Sequence, residues 1–94
     1  MKAVYKKILN HYGEEHQVCK LMEEMAELAL ALLKKDVKNI HEELADVEIM
    51  LEQLKLMSFY DEEKKEIKKL FKLNRQINRI NEEVKKCQEQ NAVG

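Results

Sequence analysis

Two short stretches of this 94-residue sequence carry the same acidic pattern, Glu-Glu-x-x followed by a third acid. The first contains Glu24 and Glu27, and the second contains Glu43 and Asp46. Residues three positions apart share one face of a helix, so each stretch predicts two carboxylates that point the same way. Like charges at this spacing repel, and in neither stretch does a lysine follow the first acid at i+4 to offset the repulsion.

Carboxylates in this arrangement are suited to bind a divalent cation. If the two helices pack antiparallel, the fifteen residues between Glu27 and Glu43 allow both pairs to face one small volume. Four carboxylates could not all stay charged there without a cation, and Mg²⁺ or Mn²⁺ prefers such oxygen ligands. Because Mg²⁺ also binds substrate phosphates, the pattern is compatible with a triphosphate site. The alternative is that Glu-rich helices present a solvated face, but two matched pairs beside apolar stripes favour the metal site.

The elements that must position these acids are helices. The sequence has no proline and only two glycines, which disfavours folds with many tight turns. A small β-sandwich and a βαβ nucleotide fold with its Gly-rich loop are therefore nearly excluded. We predict an all-α fold, a small antiparallel helical bundle completed by homo-oligomerisation, because so short a chain buries only a modest share of its surface.

Apolar residues at steps of three and four predict four helices, over residues 3–12, 15–35, 40–57 and 61–88. Asp36 or Asn39 is expected to cap the third helix, and Asp61 the fourth. We expect a single domain over residues 1–94, with its core at about 12–88 and a frayed tail at 90–94. The residues expected to form the buried stripes of the second and third helices are Val18, Leu21, Met22, Met25, Leu28, Ala29, Leu32, Leu33, Ile40, Leu44, Val47, Leu51 and Leu54.

The last helix carries two further patterns. A heptad-like seam contains two asparagines, which either fix the register of a partner helix or line a polar pocket. A basic stripe is either a solvated face or a set of contacts to phosphate oxygens, for which arginine is well suited. The seam consists of Ile67, Leu70, Asn74, Ile77, Asn81 and Val84, and the candidate substrate contacts are Lys72, Arg75, Arg79 and Asn78, with Lys68 extending the stripe.

The balance of charge and the apolar runs limit the partners of the chain. Net charge is −1, with 8 basic and 11 acidic groups in residues 1–60 against 9 and 7 in residues 61–94. This balance argues against a nucleic-acid partner, and the longest apolar run, six residues, is too short for a membrane span. Cys19 and Cys87 are expected to be reduced thiols of a cytoplasmic protein, and His16 with Cys19 does not make a zinc site.

The acidic pattern resembles the signature of the MazG-like all-α nucleoside triphosphate pyrophosphohydrolases. The resemblance rests on Glu24-x-x-Glu27, the fifteen-residue gap and Glu43-x-x-Asp46, together with the flanking words Lys20-Leu21-Met22-Glu23 and Glu42-Glu43-Leu44-Ala45. It covers about residues 12–80. It implies an all-α homodimer or homotetramer that hydrolyses a nucleoside triphosphate to the monophosphate and pyrophosphate, with a role in removing unwanted nucleotides from the pool.

The resemblance also implies roles for the acidic residues. Glu24, Glu27, Glu43 and Asp46 would coordinate Mg²⁺, with Mn²⁺ as a possible substitute, and Glu23 and Glu42 are the candidate catalytic bases. A different class of function stays open, namely a non-enzymatic helical module that binds a partner through the seam. A third reading is a relative that binds nucleotide without turnover. The nucleobase and the sugar are not specified by the sequence.

Overall fold

The computed structural model describes residues 1–93 and is all-α, as predicted. It contains α1 (Lys2–Tyr12), α2 (Glu14–Lys34), α3 (Val37–Leu54) and α4 (Glu62–Val93). The chain divides into two compact units, of which the first is Met1–Tyr60 and holds α1 to α3, and the second begins at Asp61 and holds α4. Among the described residues, no helix is both long enough and apolar enough to span a membrane.

Gly13 separates α1 from α2. Its φ of 87° lies in the left-handed region, which glycine enters without the steric cost that a Cβ brings. The amide of Gly13 donates to the carbonyl of Leu9 and so closes the last turn of α1. The chain can therefore leave one helix and enter the next with no intervening loop.

A two-residue connection reverses the chain between α2 and α3. Lys35 adopts a left-handed conformation with φ of 56°, and the amides of Lys35 and Asp36 donate to Leu32 and Ala31 respectively. These two bonds form the Schellman pattern that ends many helices. The Asp36 side chain then accepts from the amide of Asn39 at 3.3 Å, so that Asp36 is the cap of α3. Helices α2 and α3 consequently pack against each other as an antiparallel hairpin.

The core of the first unit lies among α1, α2 and α3. Its buried apolar side chains come from all three helices and from the turn that follows α3: Leu9, Leu21, Ala31, Val47, Met50 and Met57. A buried amide pair joins the hairpin, since Gln17 Nε2 donates to Gln53 Oε1 at 2.7 Å. Beyond this pair, Ser58 donates through its hydroxyl to Glu14 at 2.8 Å and also donates through its amide, which fixes the end of α3 beside the start of α2.

The apolar stripes predicted for the hairpin are only partly buried. Leu21 and Val47 are in the core, but a second row remains exposed: Met22, Met25, Leu32, Leu33, Leu44 and Leu51. The reason is geometric. Leu44 follows Glu43 and Met25 follows Glu24, and both glutamates face the partner helix. One step along an α-helix rotates the side-chain direction by about 100°. In an antiparallel pair, this rotation turns both side chains to the same outer side. Within the first unit, α1 covers the opposite side.

Helix α4 forms the second unit. It starts after Asp61, whose side chain accepts from the amide of Lys64 at 3.0 Å, and this confirms the predicted cap. It extends to Val93, beyond the predicted end at residue 88. Residues 90–93, which were expected to form a frayed tail, are therefore helical, and Gly94 lies outside the described part of the chain. From Ile67 to Asn91 every residue is exposed, including the predicted seam.

Candidate metal centre

The acidic pairs are placed by the symmetry of the α2–α3 hairpin. Glu27 and Glu43 each lie eight residues from Lys35, and Glu24 and Asp46 each lie eleven residues from it. Two positions equidistant from a tight reversal come to the same level in an antiparallel pair. The same rule brings Gln17 to Gln53, and their hydrogen bond verifies the register. The spacing of the motif therefore matches the geometry of the hairpin that carries it.

Three of the four predicted ligands form one group. Glu24, Glu27 and Glu43 each offer a carboxylate oxygen, and the three oxygens lie within 4.8 Å of one another. Glu24 is buried, with 6% of its surface exposed, while Glu43 is half-buried and Glu27 is exposed. Oxygen atoms this close, on the hard carboxylate ligands that Mg²⁺ prefers, provide one side of a cation site.

Two oxygens of this group are buried without a hydrogen-bond partner, Oε2 of Glu24 and Oε2 of Glu43. A buried charged oxygen that lacks a partner carries a large desolvation cost, so such atoms are rare in folded proteins. The other oxygen of Glu24 is bound by Lys20 Nζ at 3.3 Å, and Lys20 also contacts Glu23 at 3.5 Å. A divalent cation would satisfy the two orphan oxygens, and the donor set therefore fits such an ion.

The electrostatics of the group are those of a site that lacks positive charge. Burial raises the pKa of Glu43 from 4.5 to about 7, and a hydrogen bond with Glu27 and the charges of Glu27, Glu24 and Asp46 add to the shift. Conversely, hydrogen bonds to Glu24 and then Glu23 raise the pKa of Lys20 above its usual value. Below about pH 7 the group therefore favours a proton on Glu43, and a bound cation would displace that proton.

Asp46 does not join the group of three. It is exposed on α3 one turn beyond Glu43, and none of its oxygens is among the mutually close set. Its charge nevertheless contributes to the raised pKa of Glu43, so it lies near enough to act on the same cation. Its role as a metal ligand stays a prediction.

The two candidate bases differ in their surroundings. Glu23 is exposed, but it pairs with Lys20 and lines a cavity of about 600 Å³ in the first unit. Glu42 is exposed on α3 and is not part of the group of three. Of the two, Glu23 is therefore better placed to meet a molecule bound beside the acidic group, although the catalytic role of both stays a prediction.

The cavity lies between α1, α2 and α3 next to the acidic residues. Its surface is largely apolar, with Ile8, Ile49 and Met50 among its walls, and the Gln17–Gln53 pair forms its polar part. At its α1 end the rings of Tyr12 and His16 stack, with centroids 5.0 Å apart and an interplanar angle of 15°. Lys20 and Glu23 form the side of the cavity that leads to Glu24. A ligand with a flat ring next to a charged group would fit these apolar walls, stacked rings and charged side chains.

The predicted substrate contacts all lie on α4. Lys72, Arg75, Arg79 and Asn78 are exposed, as is Lys68, and they occupy the second unit by themselves. They form one face of the helix, as their spacing predicts. Their contact with substrate stays a prediction.

The sequence pattern does not point to some residues of the site. Lys20 is one of them, because it lies four residues before Glu24, whereas the helix-pair rule places an offsetting lysine four residues after an acid. Gln17 and Gln53 are two others, because a lone polar residue in a helix gives no periodic signal. Their equal distance from the connection at residue 35, eighteen positions on either side, was the available clue.

Comparisons with protein-family models, with curated proteins and with solved structures found no match to this chain. The likeness to the MazG-like pyrophosphohydrolases accordingly rests on the acidic motif.

Proposed function

We propose that this protein is a Mg²⁺-dependent nucleoside triphosphate pyrophosphohydrolase, which cleaves between the α and β phosphates to release a monophosphate and pyrophosphate. The observation that carries the proposal is the group formed by Glu24, Glu27 and Glu43, with two buried oxygens that have no partner. The motif resemblance supplies the reaction class, and the group supplies carboxylate oxygens that a divalent cation would neutralise.

The ligands of the cation would be Glu24, Glu27 and Glu43, with Asp46 as a fourth. When bound, Mg²⁺ would neutralise phosphate charge and lower the pKa of a water molecule. The chain itself would hold the triphosphate close to α2, where Lys20 would contact a phosphate oxygen if a bound cation replaced it as the partner of Glu24. Glu23, beside Lys20, would accept a proton from the attacking water.

The cavity supports a nucleoside as the other part of the substrate. Its apolar walls and the stacked pair of Tyr12 and His16 suit the face of a nucleobase, and Lys20 and Glu23 connect it to the acidic group. Inorganic triphosphate would leave this cavity unused. We therefore expect a nucleoside triphosphate to be a better substrate than inorganic triphosphate.

The direct experiment is to incubate the purified protein with Mg²⁺ and a panel of ribo- and deoxynucleoside triphosphates, and to separate the products by anion exchange. The expected products are the monophosphate and pyrophosphate in equal amounts. A diphosphate with orthophosphate would instead indicate cleavage at the γ phosphate and would contradict the proposed reaction. Absence of pyrophosphate from every member of the panel would refute the enzymatic proposal.

Two matched variants sharpen this assay. Glu43→Gln removes a proposed ligand and should lower turnover by about a thousandfold or more, because the reaction depends on the cation for several kcal/mol of charge stabilisation. Glu48→Gln removes an exposed carboxylate from the same helix, and its turnover should equal that of the wild type. Equal losses in both variants would show that the effect does not come from the acidic group.

A second candidate function is a helical interaction module, favoured by the exposed apolar residues along α4. It differs from the enzyme in its response to metal, since a ligand that binds the native state raises the melting temperature. A nucleotide-binding relative without turnover would respond to Mg²⁺ but release no pyrophosphate.

We also propose that the enzyme is a homo-oligomer, which the exposed outer row of the α2–α3 hairpin supports.

A further inference from the structure

Helix α4 presents an uninterrupted apolar row that differs from the seam expected from the sequence. The predicted seam is broken twice by asparagine, whereas a neighbouring row with alternating steps of three and four is apolar throughout. This row, the α4 row, consists of Leu70, Leu73, Ile77, Ile80, Val84 and Cys87. Its first five side chains are between 49 and 65% exposed, and Cys87 is exposed as well.

Such a row is suited to packing against a partner helix. The row advances along the helix for about 26 Å, and steps of three and four over two heptads are typical of a coiled-coil interface. An isolated helix gains little stability in water from its own hydrogen bonds, so an apolar face of this length is normally covered. The basic stripe of Lys68, Lys72, Arg75 and Arg79 lies on a different side of the helix and remains available for other contacts.

We infer that the α4 row pairs with the α4 row of a second copy of this chain, and that the two helices run antiparallel. This inference is independent of the proposed enzymatic function, because none of the six residues belongs to the acidic group or the cavity. The spacing of the row is the same when it is followed in either direction along the helix, so two antiparallel copies can match it residue for residue. We therefore identify the partner as a second copy. With the centre between Ile77 and Ile80, all six residues of one helix meet all six of the other.

The distribution of charge selects the antiparallel orientation. Residues 67–79 carry five basic and no acidic side chains, whereas residues 82–89 carry three acidic and two basic ones. A parallel pair would place the two basic segments side by side. An antiparallel pair places each basic segment next to the more acidic segment of the other copy, and it also opposes the two helix dipoles favourably.

The same register accounts for the two asparagines. Asn74 and Asn81 lie on one flank of the α4 row, at the edge of the proposed interface. In the antiparallel pair, Asn74 of one copy lies on the same flank as Asn81 of the second copy and is offset from it along the axis by two residues, about 3 Å, so the two amides can hydrogen-bond. A shift of one heptad would leave part of the row uncovered and separate these amides, so they favour one register.

Cysteine cross-linking tests both pairing and direction. In the proposed register Cys87 of one copy lies opposite Leu70 of the other. Every variant carries Cys19→Ser, so that the only other native cysteine cannot cross-link, and is equilibrated in a glutathione redox buffer. Addition of Leu70→Cys should give a covalent dimer at least tenfold more abundant than in the variant that keeps only Cys87. A third variant, Leu70→Cys with Cys87→Ser, should likewise stay uncross-linked.

The other outcomes overturn the inference. Efficient cross-linking through Cys87 alone, or through position 70 alone, would indicate a parallel pair, and cross-linking in none of the three variants would show that the row does not pair. Sedimentation equilibrium gives a second readout, in which Ile77→Asn with Ile80→Asn should halve the wild-type mass. Lys68→Gln with Lys86→Gln, away from the row, should leave the mass unchanged, and equal masses in all three proteins would contradict the interface.

Discussion

At the scale of single residues, the acidic group shows how a helix hairpin can concentrate negative charge. Lys20 offsets part of the charge of Glu24, but Oε2 of Glu24 and Oε2 of Glu43 remain buried and unpartnered. This state is costly for the folded protein, and a bound cation would offset the cost. The destabilising residues are therefore the ones that we assign to function.

The raised pKa of Glu43 predicts how stability changes with pH in the absence of metal. The pKa is about 7 in the folded chain and near 4.5 when the side chain is freely solvated, so the folded state holds a proton that the unfolded state releases. The contribution of Glu43 to the free energy of unfolding is therefore fully present below pH 4.5 and is lost as the pH rises through 7. Melting curves in EDTA between pH 5 and 8 should show it.

The comparison of two variants isolates this effect. Glu43→Gln cannot titrate, so its melting temperature should exceed that of the wild type by a few degrees at pH 8 and by less at pH 5. Glu48→Gln, an exposed change on the same helix, should follow the wild type at every pH. If Glu43→Gln also followed the wild type throughout, the proposed environment of Glu43 would be wrong.

At the scale of elements, the buried amide pair fixes the register of α2 against α3. Gln17 and Gln53 are 3% and 1% exposed, and Gln17 Nε2 donates to Gln53 Oε1 at 2.7 Å. Gln53→Met should lower the free energy of unfolding by about 1–3 kcal/mol, because it leaves a buried amide unsatisfied. The double change Gln17→Met with Gln53→Met should recover most of the loss. Urea unfolding measures both, and additive losses would contradict the pairing.

The left-handed residue between the two helices offers a stabilising change. Lys35 has a Cβ in a conformation with φ of 56°, which costs about 1 kcal/mol relative to glycine. Lys35→Gly should therefore raise the free energy of unfolding by up to about 1 kcal/mol. Lys34→Gly, inside the helix, should lower it by about 1 kcal/mol. A loss of stability in Lys35→Gly would indicate that the lysine side chain has an unrecognised contact.

The elements were largely predictable, and the details of the site were less so. Helix periodicity and the caps at Asp36 and Asp61 are local signals, and the structure confirms these caps. The approach of Glu24, Glu27 and Glu43 was predictable because the motif is symmetric about a short connection. The position of Asp46 and the ion pair of Lys20 depend on side-chain directions and burial, which spacing alone does not define.

At the scale of the whole molecule, the hairpin has two different sides. Helix α1 and the cavity occupy one side, whereas Met22, Met25, Leu44 and Leu51 are exposed on the other. Periodicity predicts all four residues to be core, because it identifies an apolar face without specifying what covers it. An exposed apolar row of this kind commonly marks an interface between proteins.

Disruption of this row should reduce self-association. Met25→Lys with Leu44→Lys places two charges on the outer side of the hairpin, and the sedimentation mass should fall to a smaller multiple of 11.2 kDa than the wild type shows. Glu15→Lys, an exposed change on α2, should leave the mass unchanged. If the wild type and the double variant had the same mass, the outer row would not be an interface.

The most direct test of the central claim, that the hairpin carboxylates hold a divalent cation, is a Mg²⁺ titration of the EDTA-treated protein at pH 8. Melting temperature is followed at constant ionic strength for the wild type, Glu43→Gln and Glu48→Gln. We predict that Mg²⁺ raises the melting temperature of the wild type and of Glu48→Gln, and that Glu43→Gln does not respond. An unchanged wild type, or an equal rise in all three proteins, would show that the hairpin carboxylates do not form a cation site.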